Sequence, residues 1–476
     1  RLADYPTIEA LAGWMSDSIA AQGAPASAPS EPTQAPEAAP VETVVEAPPK
    51  EETAAQGAGL PDSFRIRRPV VVSRPPWSMG SIKGRKLAVL GEGPFADALR
   101  RRVEEKGATI SDSPDAVIDA GASVFDVFTF AQGLDKKHPS DWICAVSSER
   151  TAPSVRAGAQ SGARAGFTKA IGREWDDCTA RVVHTHPDFE LETSASLVLE
   201  ELAAPDGSVE IFWNDQGRHA IELEVVPFPE QGGSFKGEVI VLTGGTRGIT
   251  AEVALALAER GPCTLALMAR TPPGESPLDE GAAKAAAKAA LESEGVRATP
   301  AAVRDRVAPL KRAEEARQNV ERMRELGATV AFFPIDLSSP DAVKTALDTV
   351  RSELGPIGGL VHGAGVEESR LIADKDERAF HRVFDGKAIG GLALAEHLES
   401  EAWFVSMGSV AGRFGNPGQV DYSAANESMA QVCLARPRSL HVDWTAWADV
   451  GMAVRGGMDK LLGERGVEML PAHGGS

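Results

Sequence analysis

The chain has 476 residues, too many for one ordinary hydrophobic core, so two or more domains are expected. Its 43% hydrophobic and 25% charged residues fit a soluble globular protein, and a net charge of -19 argues against nucleic acid or an anionic membrane surface as partner. Four scattered cysteines (Cys144, Cys178, Cys263, Cys433) with no CxxC pair speak against structural zinc and a disulfide framework and suit a reducing, cytoplasmic compartment.

In chain order, the first residue is not Met, which suggests a piece excised from a longer chain. Residues 1–22 read as one amphipathic helix, opened by Pro6 and Thr7 and striped by Ile8, Leu11 and Ile19. Residues 23–60 are Ala, Pro, Glu and Ser with few large apolar side chains, the composition of a semi-stiff linker. No stretch approaches the roughly 20 apolar residues of a membrane span.

Residues 61–231 alternate strand and helix. Strands are expected at Lys86–Leu90, Asp115–Ile118, Asp141–Val146 and Arg181–Val183, and helices at Val124–Gly133, Ala157–Trp175 and Ser194–Leu202. Val209–Trp213 and His219–Leu223 flank Asn214-Asp-Gln-Gly217, a hairpin signal. The Gly91-Glu-Gly93 turn has only two glycines, and Pro94 offers no N–H, so a plain strand-to-helix turn fits better than a nucleotide loop. The Ser161–Lys169 stretch stands where a catalytic helix would lie but has no tyrosine, so this unit reads as structural. His184 and His186, two apart in a strand, could point the same way toward a metal, but a plain surface strand accounts for them better.

Residues 232–476 form a second α/β unit. Strands are expected at Glu238–Leu242, Cys263–Met268, Ala328–Phe333, Gly359–Val361, Ala402–Val405 and Leu440–Trp444, with a helix over Thr250–Arg260. The connection 271–327 is far longer than a βα crossover needs and has helical pattern over Ala282–Glu292 and Pro300–Leu326. It either covers a face or another module, or is a solvated helical excursion.

Chemistry concentrates in this second unit. Thr243-Gly244-Gly245-Thr246-Arg247-Gly248-Ile249-Thr250 follows a strand and opens a helix. That context lets backbone N–H groups approach a pyrophosphate. Arg270 ends the second strand, where an acidic residue would hold a ribose 2′-hydroxyl and an arginine suits a 2′-phosphate, so NADPH is expected rather than NADH. Asp336 and Leu337 follow the third strand and face either an adenine edge or the cap of the next helix. After His362, the small residues Gly363, Ala364 and Gly365 would let a cofactor cross the sheet. Ser409 and Tyr422 stand thirteen residues apart, with Asn426 one turn beyond Tyr422, in a chain holding two tyrosines. Reducing a ketone leaves an alkoxide; a phenol brought below its reference pKa of about 10 by a nearby ammonium can protonate it, and a serine hydroxyl can hold the oxygen. Lys387 lies in a helical pattern and taken alone reads as a surface lysine.

These residues resemble the short-chain dehydrogenase/reductase superfamily, and within it the ketoreductase domains of polyketide and polyunsaturated fatty acid synthases. Simple superfamily members place the lysine four residues after the tyrosine, where this chain has Asn426; synthase ketoreductases take it from an earlier helix, as Lys387 would supply. Leu440–Ala448 and Gly451-Met452-Ala resemble the segment after the catalytic helix and the start of a lid. The resemblance implies two Rossmann-like α/β subdomains: a truncated structural one over 61–231, then a catalytic, doubly wound parallel sheet over 232–476. It likens residues 1–22 to the last helix of an acyl carrier protein.

It further implies NADPH-dependent reduction of a β-ketoacyl thioester on a phosphopantetheine-bearing acyl carrier protein, among other synthase modules. Tyr422 would donate the proton, Ser409 orient the carbonyl, Lys387 lower the tyrosine pKa and hold the ribose, and Asn426 support the relay. The Leu-Asp-Asp signature of one alcohol configuration is absent at Glu367-Glu368-Ser369, and the tryptophan of the other is absent at Phe414. Asn416–Gln419 leans toward a D-hydroxy product. Two other readings are a catalytically silent scaffold module and a free-standing reductase of small ketones.

Overall fold

The computed structural model describes residues 66–74, 80–134, 137–147, 154–203, 207–226, 235–448, 450–451 and 469–470. The expected helix at 1–22, the linker at 23–60 and the lid from Met452 fall outside the described residues.

The first unit runs β1 (Ile66–Ser73), β2 (Lys86–Leu90), α1 (Pro94–Glu105), β3 (Thr109–Ile110), β4 (Ala116–Asp119), α2 (Val124–Gly133), β5 (Asp141–Ser147), α3 (Val155–Glu174), β6 (Thr179–Thr185), α4 (Leu191–Ala203), β7 (Glu210–Asn214) and β8 (Gly217–Val226). Its eight strands lie in the order β1-β8-β7-β6-β5-β4-β2-β3. The strands from β7 to β3 are parallel, with short apolar runs buried between helices, while β8 folds back on β7 and carries β1 antiparallel at the edge. The Asn214↔Gly217 pair closes the expected hairpin. Strand β1 escapes the sequence reading because its Arg and Pro residues lack clean alternation.

The second unit runs β9 (Val239–Thr243), α5 (Gly248–Glu259), β10 (Thr264–Ala269), α6 (Glu280–Ser293), α7 (Pro300–Glu325), β11 (Thr329–Pro334), α8 (Pro340–Leu354), β12 (Ile357–His362), α9 (Glu377–Phe384), a π turn (Asp385–Ile389), α10 (Gly390–His397), β13 (Trp403–Ser409), α11 (Val410–Phe414), α12 (Val420–Ala435) and β14 (Ser439–Trp444). All six strands are parallel, ordered β11-β10-β9-β12-β13-β14. Counted within the unit this is the doubly wound order 3-2-1-4-5-6, whose direction reverses between β9 and β12; ligands of such sheets sit at that reversal, beyond the carboxyl ends of the strands.

The long connection is not simply a solvated excursion. The end of α7 buries Val320 and Met323 with α5 and β10 in one core, so this helix is the crossover from β10 to β11. Helix α6, by contrast, buries only Ala287 and Leu291.

The two units meet helix to helix along α3 and α12. Gly158, Gly162 and Gly166, four residues apart on α3, face Gln431, Glu427 and Ser423, four apart on α12. A Cβ at Gly158 would lie 3.0 Å, and one at Gly162 2.5 Å, from a carbonyl oxygen of α12. The helix without a tyrosine therefore serves as a flat bed for the helix that carries Tyr422.

Candidate active site

The glycine turn lies at the reversal point of the sheet. Gly244 (φ 75°) and Gly248 (φ 63°) occupy left-handed backbone that other residues avoid. A Cβ on Gly244 would come within 3.1 Å of Ala364 Cα and N, so the turn rests on the Gly363-Ala364 segment. The Gly363 N–H donates to Thr243 O (3.1 Å), and the Ala364 N–H to Thr243 Oγ1 (3.3 Å). Helix α5 starts at Gly248 with Arg247 at its N-cap, and no side chain caps it. Such an open helix start with small residues around it fits a pyrophosphate. Buried Thr250, standing where a third glycine is expected, has its clearance supplied across the turn: a Cβ on Gly363 would overlap its Oγ1 and lie 2.7 Å from its Cγ2.

Other expected cofactor residues surround this turn. The Thr246 carbonyl accepts from Asn319 Nδ2 on α7 (3.1 Å), and Arg247 lies 3.9 Å from Glu315 of the same helix. Ile249 packs beside Gly451, and Gly245 against Leu242 and Leu267. Arg270 is exposed just beyond β10. Asp336 accepts from the Ser338 N–H (3.1 Å) and hydroxyl (2.9 Å), which with Arg270 holds its carboxyl below the usual range; the cap of α8 is Ser339. The Leu337 side chain is buried in the core, and its carbonyl packs against Gly390.

The expected catalytic residues come together. Tyr422, in the first turn of α12, packs with Val383, one turn before Lys387, with Ala411, just past Ser409, and with Val366, just past Gly365. Asn426 Nδ2 donates to the Tyr422 carbonyl (2.8 Å), and the Ser409 and Asn426 side chains stand close enough to the phenol to oppose the upward push of its burial. Lys387 sits in the π turn, a local widening often found at functional positions. Its side chain is buried, and Nζ donates to Met407 O (2.8 Å), two residues before Ser409. Gly365 leaves room for it: a Cβ there would lie 2.9 Å from Lys387 Cε.

One expectation is corrected. The phenol is not lowered below 10; burial pushes it up to about 12, with the Ser409 and Asn426 side chains opposing and Glu367 adding. The lysine does not offset this because its ammonium is turned to a backbone carbonyl, and burial brings it down to about 8 against the pull of Asp443. The phenol is held as a proton donor, and an alkoxide is base enough to take that proton.

Several residues that hold the site were not legible in the local sequence. From the first unit, the Glu174 carboxylate accepts from the N–H groups of Ile372 (2.6 Å) and Gly418 (2.9 Å), and Gln132 Nε2 donates to Ile372 O and Lys375 O. The loops before and after the catalytic helices are thus tied to the neighbouring unit. Lys375 Nζ donates to Asp421 (2.7 Å), the residue before Tyr422. Buried Lys169 of α3 lies 2.9 Å from Glu210 and 3.2 Å from Glu427, and Arg413 of α11 pairs with the same two carboxylates. Burial alone would raise Glu210, but Lys169, Arg413 and His184 hold it well below the usual carboxylate range. His184 stacks on Phe212 (4.2 Å) and contacts Glu210 (3.2 Å); no cluster suited to a metal occurs among the described residues. All four cysteines are buried and free, and no described helix is long and apolar enough to cross a membrane.

Comparison with known proteins now places the chain. Residues 238–449 match the KR domain family. The chain is 29% identical over 343 residues to a polyunsaturated fatty acid synthase polypeptide of Thraustochytrium sp., covering 67% of this chain and 12% of that protein. It is 34% identical over 151 residues to 6-methylsalicylic acid synthase of Penicillium patulum, covering 29% of this chain and 8% of that protein. The chain thus spans a small fraction of these relatives' length. A solved ketoreductase from the first module of phoslactomycin biosynthesis in Streptomyces sp. HK803 shares the fold, with a TM-score of 0.65 at 22% identity over 85% of this chain and 87% of that one. Residues 238–449 are thus identified as a KR domain, an oxidoreductase domain, and the chain shares the two-sheet fold of a solved ketoreductase.

Proposed function

We propose that the chain reduces a β-ketoacyl thioester, carried by the phosphopantetheine arm of an acyl carrier protein, to the β-hydroxyacyl thioester, using NADPH, as one module of a larger cytoplasmic synthase. The supporting observation is the gathering of Tyr422, Ser409, Asn426 and the Lys387 helix beside the glycine turn, at the reversal point of a parallel sheet. The residues from Thr243 to Ile249 would hold the pyrophosphate, Arg270 the 2′-phosphate, Asp336 and Leu337 the adenine side, and Gly363 to Gly365 would clear the path to Lys387. When bound, the cofactor supplies hydride to the β-carbon.

As the carbonyl carbon gains its hydrogen, the electron pair moves onto oxygen. Ser409 holds that oxygen, and the Tyr422 O–H gives it the proton. With a phenol as high as about 12, the proton leaves only when the oxygen has become strongly basic, which ties protonation to reduction. Asn426 and Lys387 return a proton from solvent to the phenolate. The first unit acts as a structural subdomain, through the glycine bed on α3 and the Glu174 and Lys169 contacts.

The test is NADPH consumption with a carrier-bound β-ketoacyl chain, with NADH and with a simple ketone in parallel arms. Faster turnover of the carrier-bound substrate with NADPH supports the reading. Equal turnover of a simple ketone favours a free-standing reductase, and NADPH binding with neither substrate reduced overturns the proposed reaction.

A further inference from the structure

We infer that His362 is a positioning residue that joins the glycine turn to the Lys387 backbone through one directed chain of hydrogen bonds. Its geometry stands by itself; its catalytic consequence rests on the reading above. Parallel pairing of β12 with β9 sets His362 beside Thr243 at the ends of the two central strands. The imidazole is fully buried; Nδ1 lies 2.8 Å from Thr243 Oγ1, and Nε2 lies 3.0 Å from Lys387 O.

The partners fix the tautomer. A carbonyl oxygen only accepts, so Nε2 carries the hydrogen and donates to Lys387 O. Burial, with the Lys387 charge adding, keeps the ring neutral. Nδ1 therefore accepts, and Thr243 must donate its hydroxyl. That hydroxyl oxygen is then the acceptor for the Ala364 N–H. The chain runs in one direction, from Ala364 N–H to Thr243 to His362 to Lys387 O. Its first half lies under the glycine turn, and its last acceptor belongs to the π turn, where the helical ladder is widened. The ring has little freedom to reorient: a Cβ on facing Gly391 would lie 2.9 Å from His362 Cδ2. An arrangement that occupies the turn is thereby felt at the backbone that aims the Lys387 ammonium.

Two substitutions separate the two ends. His362→Asn places an amide oxygen near Nδ1, keeps the bond from Thr243 and cannot reach Lys387. His362→Gln reaches Lys387 O with an amide N–H and leaves Thr243 without its acceptor; Thr243→Val removes that bond and also the acceptor of the Ala364 N–H. We expect His362→Gln to weaken NADPH binding about tenfold while kcat changes little, and Thr243→Val to weaken NADPH binding at least as much. His362→Asn should bind NADPH as the parent does, lose about tenfold in kcat and shift the alkaline limb of the pH profile. Parallel losses of binding and kcat in all three would overturn the inference. A readout that needs no cofactor is the side-chain ¹⁵N spectrum of His362 in the unliganded chain, assigned by its loss in the variants. The Nε2–H tautomer, unchanged from pH 5 to 9, supports the chain of bonds, and an Nδ1–H tautomer or a titration in that range sinks it. If the parent does not turn NADPH over, the reaction proposed above fails while this spectrum still decides the geometry.

Discussion

Replacing Gly363 by Ala adds one methyl group at the tightest place under the glycine turn. It would overlap Thr250 Oγ1 and stand 2.7 Å from Cγ2 and 2.9 Å from Cβ, all inside van der Waals contact. Thr250 belongs to the first full turn of α5 and is buried, so it can yield only by moving that helix start. Overpacking of this kind costs about 1–3 kcal/mol. If the shift falls on the helix start, NADPH binding should weaken by about 5- to 150-fold. Thr250→Gly removes all three offending atoms and restores a third glycine to the turn, at about 1 kcal/mol for glycine in a helix. The double variant should therefore bind NADPH more tightly than Gly363→Ala alone, with a favourable coupling of about 1–2 kcal/mol in the four-member cycle. Nicotinamide fluorescence titration reads the binding, and denaturant unfolding reads the stability. A Gly363→Ala protein that binds like the parent, or a double variant with no rescue, refutes the packing argument.

Other consequences follow from the buried charges. Lys169→Met leaves Arg413 to balance both Glu210 and Glu427 at the unit interface and should lower unfolding free energy by up to about 3–5 kcal/mol, read by urea midpoint at constant slope. Burial raises Asp421 from 3.8 to about 6 despite Lys375, so the folded chain holds a proton that the unfolded chain has already lost. Its contribution to stability therefore falls as pH rises from about 4 to 6 and is flat above; Asp421→Asn should remove that slope from stability measured against pH. Lys387 behaves in the opposite sense: lowered from 10.5 to about 8, it makes stability rise with pH across that window, and Lys387→Met should abolish the rise.

Much of this arrangement was legible from residue order because local physics governs it. The short apolar run at Lys86–Leu90 and the alternating segment Leu440–Trp444 read as strands, and Gly244 and Gly248 mark a turn that needs left-handed backbone. The rarity of tyrosine made Tyr422 stand out. What stayed hidden depends on distant partners. Glu174 and Gly418 are 244 residues apart, and nothing near either announces the bond. The crossover role of α7 depends on which face meets α5, which a charged, Ala-rich run does not declare. The upward shift of the Tyr422 phenol comes from burial by α9 and α11, not from any neighbour in sequence. His362 was in view beside Gly363, but its two bonds needed the β9–β12 register to be known.

The central claim is that the Tyr422 hydroxyl supplies the proton to the reduced carbonyl. Tyr422→Phe keeps the ring that packs with Val383 and Ala411 and removes only that hydroxyl. With a carrier-bound β-ketoacyl substrate, the variant should bind NADPH as the parent does and oxidise it about 10²- to 10⁴-fold more slowly. NADPH oxidation at the parent's rate would contradict the account.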